Sequence, residues 1–255
     1  MTDAVRELLK AHLKQLRLPA MVQELEALSR EAAASNQNYE QFLLRLTEVE
    51  LAARAANALQ SRIKQADFLV TKDFDTYDFT AMPSLSKPKV LELARCEWVD
   101  HKTNCCFIGS PGTGKTHLAV SLGLAACRAG YRVRFFTAAA SVSHLEKAQK
   151  QYTLDRFLSQ LDRADLLICD ELGYLSFSRG GAELLFQVFA DRYERRSLLV
   201  TSNLAFSEWG QVFQGERMTA ALLDRFTHRC QIFEMNSESF RFRESMKNKK
   251  SKRSD

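Results

Sequence analysis

The stretch NCCFIGSPGTGKTHLAVSLGLAA, residues 104–126, decides how the rest of the chain is read. An apolar run ends in glycines, the glycines end on Lys-Thr, and an apolar pattern resumes at helical spacing. Gly109, Ser110, Pro111, Gly112, Thr113, Gly114, Lys115 and Thr116 fit G-x-x-x-x-G-K-[ST]. Glycines in such a loop let backbone N–H groups turn toward phosphate oxygens at a helix N-terminus, whose dipole favours anions. Lys115 is placed to reach the β- and γ-phosphates, and the Thr116 hydroxyl to ligate magnesium. The expected cofactors are therefore ATP and Mg2+, held by Gly109, Pro111, Gly112, Thr113, Gly114, Lys115, Thr116 and His117. Adenine is the expected base, because no guanine-reading NKxD follows a strand and NKKS at 248 lies in a basic tail.

Outward from this loop, short apolar runs recur at 105–109 (CCFIG), 133–137 (VRFFT), 166–170 (LLICD), 197–201 (SLLVT) and 230–235 (CQIFEM), with helical stretches between. That is the βαβ rhythm of a five-stranded parallel sheet covered on both faces, an α/β core. The third run carries chemistry. Asp170 ends it, and a carboxylate there is costly unless it faces an ion or a site, so Asp170 joins Thr116 as a metal-holding pair. Glu171 beside it is positioned to polarise an attacking water. Asn203, after the fourth run, can orient that water or serve only a strand-to-helix turn. Arg225 in ALLDRF lies on a short helix before the last strand, and its position alone fits a salt bridge as well as an arginine finger reaching a neighbouring subunit.

Before the core, residues 1–66 read as helix throughout. Val5, Leu8, Leu9, Leu13 and Leu16 make one stripe, Pro19 marks a break, and Met21, Val22, Leu25 and Leu28 make another. A third helix opens at Asn38, with Gln41 in capping-box arrangement, and carries Phe42, Leu43, Leu46 and Val49. These stripes serve a small helical domain, through core packing or partner docking. Residues 67–86 have no sustained period and read as a linker; a helix follows near 87–101, and the core runs over 87–246.

At 255 residues and 45% hydrophobic, the chain can bury a full core. No run reaches the length of a membrane span and the N-terminus has no secretory h-region, so a cytoplasmic protein without membrane contact is expected. Six cysteines without a CxxC pair and five scattered histidines suit a reduced chain rather than a zinc site. The net charge of +5 is carried by residues 241–255, which hold seven basic and two acidic side chains, while the other 240 residues balance at 29 of each sign. Residues 247–255 are thus a basic tail, either solubilising or in contact with nucleic-acid phosphates.

Together these segments resemble the initiator clade of AAA+ ATPases, and more closely the IstB-like transposition helper ATPases of insertion sequences. The resemblance rests on YEQFLLRL (39–46), DFDTYDF (73–79), the phosphate loop, ELGYL (171–175), GAELLFQ (181–187), NLAFSEW (203–209) and LLDRFTHR (222–229). It implies that Asp170 and Glu171 serve metal and water, that Asn203 is a sensor of the γ-phosphate, and that Arg225 is the finger acting in trans. It also implies self-association on duplex DNA without sequence preference, and delivery of that DNA to a cognate transposase. In the clade a helical insertion between the second and third strands faces DNA; here it is 138–164, with Lys147, Lys150 and Arg156 as candidate phosphate contacts. The clade's usual C-terminal Tyr is Phe240 here, which leaves nucleotide contacts through Arg241 or Arg243 open. A helicase loader of DnaC type is the alternative sharing this core. A small-molecule kinase shares only the phosphate loop, which in kinases usually lies near the start of the chain.

Overall fold

The computed structural model describes residues 3–237, and the chain divides into two compact units, one ending at Ser61 and the other running from Arg62 onward. Phe240, Arg241, Arg243 and the basic tail lie outside the described residues.

The first unit is helical. Helix α1 spans Asp3–Gln15, α2 Pro19–Ala34 and α3 Tyr39–Ala66, of which the part up to Ser61 belongs to this unit. Pro19 sits in the first turn of α2, where its missing N–H costs nothing. The Asn38 Oδ1 accepts from the Gln41 amide at 2.8 Å, and the Gln41 Oε1 accepts from the Asn38 amide at 3.1 Å, the reciprocal capping box read in the sequence. Leu13, Met21, Leu25, Leu28 and Leu46 form the core. Glu50 is buried beside them, and its carboxylate accepts from the amides of Ala20 and Met21 at the start of α2 and from Arg54 at 2.9 Å. A buried charge is tolerable there because the helix N-terminus and the guanidinium both answer it. Part of the apolar pattern finds no place in this small core: Val5, Leu8, Leu16, Leu43, Leu44 and Leu51 are all more than half exposed.

In the second unit the helix expected near 87–101 is two, α4 (Lys87–Leu93) and α5 (Glu97–Asp100). Cys96, at φ +63°, turns the chain between them, and the Trp98 indole closes the corner by donating to the Leu93 carbonyl at 2.9 Å. Then come β1 (Asn104–Ile108), α6 (Lys115–Ala129), β2 (Val133–Thr137), α7 (Ala138–Lys150), α8 (Leu154–Asp162), β3 (Leu166–Leu172), α9 (Arg179–Asp191), β4 (Ser197–Ser202), α10 (Gly210–Phe213), α11 (Glu216–His228) and β5 (Cys230–Glu234). All pairings are parallel and the strand order is β2-β3-β4-β1-β5. The five expected strands are present, with β3 running two residues beyond Asp170. The apolar positions of β1, β3 and β4 are buried, as a sheet covered on both faces requires, except for Ile108 at the end of β1, which is half-buried.

The order positions the site. Strand β4 lies between β1 and β3, so their carboxyl ends sit side by side where the connections diverge, the usual place for a ligand in such sheets. Arg192 braces the opposite side of the core. It is 3% exposed, and its guanidinium donates to the carbonyls of Leu161, Ala164, Asp165 and Ser197.

Candidate active site

The loop after β1 is shaped by its glycines. Gly109 has φ +145°, and any side chain there would collide with the Met235 carbonyl just past β5. Gly114 has φ +92° at the N-cap of α6, and an added Cβ would meet the Tyr77 ring at 2.8 Å. Both positions exclude L side chains through their backbone as well as their surroundings. Lys115 folds back into the loop, its Nζ donating to the carbonyls of Gly109 and Ser110 at 2.7 Å each.

Beside the loop, Asp170 Oδ1 accepts from Thr116 Oγ1 at 3.0 Å and from Thr201 Oγ1 at 2.5 Å. Asp170 is 2% exposed, and burial pushes its carboxyl above the usual range despite the two hydroxyls, the Glu171 amide and Lys115, which all favour the charged form. Glu171 next to it is exposed and has φ +60°, a left-handed conformation inside a strand. The β3–β4 register shifts between Cys169 and Leu172 at this point. Such a bulge swings one side chain off the strand's alternation, and here it turns Glu171 out of the buried run. The Glu171 amide, taken off the ladder, donates to Thr201 Oγ1 at 3.0 Å.

These groups line one cavity of about 850 Å³, a size suited to a nucleotide. Pro111 to His117 form its floor, and Asp170, Glu171, Thr201 and Asn203 form the end above the sheet. Gly109 lies behind the loop rather than on the cavity wall. Arg225 is exposed on α11 and does not line the cavity; among the described residues it has no ion-pair partner. Lys147 and Lys150 on α7 and Arg156 on α8 are exposed and also lie off the cavity.

Two contributions were not read from sequence. One is Thr201, whose only signal was a hydroxyl at the carboxyl end of an apolar strand. The other is the segment 67–86, which closes the cavity's second wall with Leu69, Val70, Tyr77, Ala81 and Met82. It is fastened to the phosphate loop and α6. His117 Nε2 donates to the Asp73 carbonyl at 2.7 Å, Ser121 Oγ lies 3.3 Å from the Lys72 carbonyl, and the Tyr77 hydroxyl lies 3.5 Å from the Thr113 carbonyl. Burial holds the Tyr77 phenol up at about 12, so it stays a donor. The aromatic spacing Phe68, Phe74, Tyr77, Phe79 was the available clue, since a solvated connector has no use for four rings.

The residues suit a magnesium ion. Mg2+ typically takes one or two protein oxygens and fills its remaining positions with phosphate and water. The Thr116–Asp170 pair supplies such a set, and among the described residues no cluster of three or more His, Cys, Asp or Glu side chains offers a full protein cage. The cysteines are of another kind: burial raises the Cys96 and Cys127 thiols to about 11, which suits packing rather than nucleophilic chemistry. Among the described residues no helix is long and apolar enough to cross a membrane.

Comparison with known proteins gives a coherent answer. Residues 11–248 match the family model described as IstB-like ATP binding protein. An ATP-binding protein of insertion sequence IS5376 from Geobacillus stearothermophilus is 38% identical over 240 residues, which cover 94% of this chain and 96% of that one. Its counterpart in IS21 from Pseudomonas aeruginosa is 36% identical over 239 residues, covering 94% and 90%. Among solved structures, AMPPCP-bound DnaA from Aquifex aeolicus aligns with a TM-score of 0.56 at 24% identity, covering 71% of this chain and 57% of that chain. The DnaC helicase loader aligns at 0.52 and 21%, covering 64% and 96%. At those identities the structural likeness speaks for the fold alone, which is that of AAA+ proteins.

Proposed function

The chain belongs to the IstB-like ATP-binding protein family, and from that premise we propose that it is a magnesium-dependent ATPase that assembles on duplex DNA and presents it to a partner transposase. The observation that carries the ATPase part is the meeting of Thr116, Asp170, Thr201 and the out-turned Glu171 beside the phosphate loop. Loop amides and the α6 N-terminus receive the phosphates. Lys115 exchanges its two loop carbonyls for phosphate oxygens, and the apolar wall of Leu69, Val70, Ala81 and Met82 takes the base. Thr116 and Asp170 hold magnesium, which when bound neutralises charge on the phosphates. Glu171 accepts a proton from the attacking water as its oxygen bonds to the γ-phosphorus and the bond to the bridging oxygen breaks. Asn203, at the same end of the cavity, orients that water.

Arg225 completes the site from a neighbouring copy. Its exposure, its place off its own cavity and its lack of an ion-pair partner among the described residues all favour action in trans. A lone subunit then hydrolyses ATP slowly, and assembly switches hydrolysis on. Lys147, Lys150 and Arg156 supply phosphate contacts that position DNA without reading its sequence. The exposed leucines of the helical unit suit the docking of a protein partner. The insertion-sequence relatives support transposition over helicase loading.

Size-exclusion chromatography with light scattering, using a slowly hydrolysed ATP analogue, tests the assembly. Large species on duplex DNA that need the nucleotide are expected. Assembly on single strands alone would move the reading to a helicase loader.

A further inference from the structure

We propose that Tyr152 inserts its ring against the bases of bound DNA, between cations that hold the phosphates. The proposal deepens the DNA reading given above and rests on it. Tyr152 is 98% exposed at the turn joining α7 to α8 and has φ +55°. Nine non-glycine residues among those described share a positive φ, and Tyr152 is the one aromatic among them. A bulky side chain in the left-handed region is disfavoured where glycine or asparagine would serve, and an exposed ring gains nothing from packing. The fold thus bears two costs at one residue with no return inside the chain, a pattern that points outward to a ligand.

The turn holds the ring out on a firm base. Gln151 N donates to the Lys147 carbonyl at 3.0 Å, Tyr152 N to Gln149 at 3.2 Å and Thr153 N to Ala148 at 2.9 Å. Beneath it, Leu145 and Ala148 are buried, and the Phe157 ring of α8 packs edge-on against His144 of α7. The platform is therefore set before any ligand arrives.

The surrounding charges identify the ligand's chemistry. Lys147 and Lys150 precede the ring, Arg156 follows it, and all three are exposed. Of the nearby acids, Glu146 is drawn to Ser178, whose Oγ donates to it at 2.5 Å, and Asp155 stays exposed in the first turn of α8. An aromatic face framed by phosphate-seeking cations fits a polymer that offers phosphates and flat bases together. Rings on such surfaces stack on or wedge between bases with little sequence preference. A protein partner would have no need of the three cations.

The test uses the full chain, a slowly hydrolysed ATP analogue and a fluorescein-labelled duplex, read by anisotropy across a salt series, with melting temperatures alongside. Tyr152→Gly should weaken binding roughly tenfold while leaving the slope of log affinity against log salt unchanged, because the ring carries no charge. Its melting temperature should hold or rise by up to about 3 °C, because glycine relieves the left-handed strain. Tyr152→Phe should bind like the parent, and 2-aminopurine placed in the duplex should brighten with the parent and Tyr152→Phe but not with Tyr152→Gly. Unchanged affinity of Tyr152→Gly would overturn the proposal, as would a loss accompanied by a lower melting temperature, since collapse of the turn would then explain it. If the parent chain itself fails to bind duplex DNA, the broader DNA reading falls and this one with it.

Discussion

Asp170 offers a perturbation whose sign follows from the structure. Asp170→Asn keeps the shape and an oxygen to accept from Thr116 and Thr201, but removes a charge that is 2% exposed. Burial raises the Asp170 carboxyl above its unfolded value, so desolvation outweighs the two hydroxyls, the Glu171 amide and Lys115 combined. For an acid shifted upward, the favourable contribution is complete below the unfolded pKa and is lost as pH rises through the folded one. Above its folded-state pKa the parent therefore carries an ionised group the fold would rather have neutral. Removing such a charge at a functional site is worth about 0.5–2 kcal/mol. At the usual 2–4 °C per kcal/mol for a chain of this size, the variant should melt roughly 1–8 °C higher at pH 7 without ligand. The gap should close once pH falls below the ordinary aspartate value of about 3.9, where the parent's favourable contribution is complete. Magnesium and ATP should reverse the order, since only the parent gains from holding the ion. Differential scanning fluorimetry at both pH values, with and without ligand, measures all of this. A variant that melts lower at pH 7 without ligand, or a gap that ignores pH, would refute the reasoning.

Other outcomes follow from the same geometry. Glu171→Gln should cut kcat about 10²–10⁴-fold while equilibrium ATP binding is kept, as loss of a general base does; a fall in affinity of similar size would deny Glu171 that role. Lys115→Ala and Arg225→Ala should each be nearly inactive, yet an equal mixture should recover roughly a quarter of parental turnover on DNA if the finger acts across subunits; no recovery would place Arg225 elsewhere. Thr201→Val removes both hydroxyl bonds at the bulge and leaves the Glu171 amide without its acceptor, so it should lower turnover more than tenfold, by analogy with lost oxyanion-type donors, and cost about 1–3 kcal/mol of stability; unchanged turnover would make Thr201 a bystander. Arg192→Met leaves buried carbonyls without their donor and should cost about 3–5 kcal/mol in urea denaturation; a cost below 1 kcal/mol would contradict its bracing role.

Much of the fold was legible because its signals are local and periodic. The loop 109–116 sits between a five-residue apolar run and a helical stripe, and the remaining strands announce themselves as buried runs of similar length. Asn38 and Gln41 cap α3 as their spacing implies. What escaped was non-local. The segment 67–86 has no period because its contacts follow its neighbours rather than a helix or strand: Phe68 meets Gly123 of α6 and Phe135 of β2, and Tyr77 meets His117 and Gly114. Nothing within it reveals that Tyr77 meets Gly114 or that Asp73 meets His117. The break at Cys96 escaped too, since its left-handed turn is fixed by the corner that Trp98 closes.

Thr201 shows why the catalytic end needed the sheet order to be understood. A hydroxyl has one hydrogen to donate and lone pairs to accept. Thr201 gives its hydrogen to Asp170 on the neighbouring strand and takes one from the Glu171 amide. Two adjacent carboxylates in a regular strand would point to opposite faces, and only one could then serve the cavity. The bulge breaks that alternation, and the amide it strands must find an acceptor, because an unpaired buried N–H is costly. Thr201 is that acceptor, and it is available only because β4 lies against β3 and carries a hydroxyl at this register. The same residue orients the Asp170 oxygen that Thr116 also reaches, so strand β4 ties the metal-holding and water-activating groups into one set of hydrogen bonds. Sequence order separates these residues widely; the crossover from β1 to β2, passing over β4 and β3, is what brings them together.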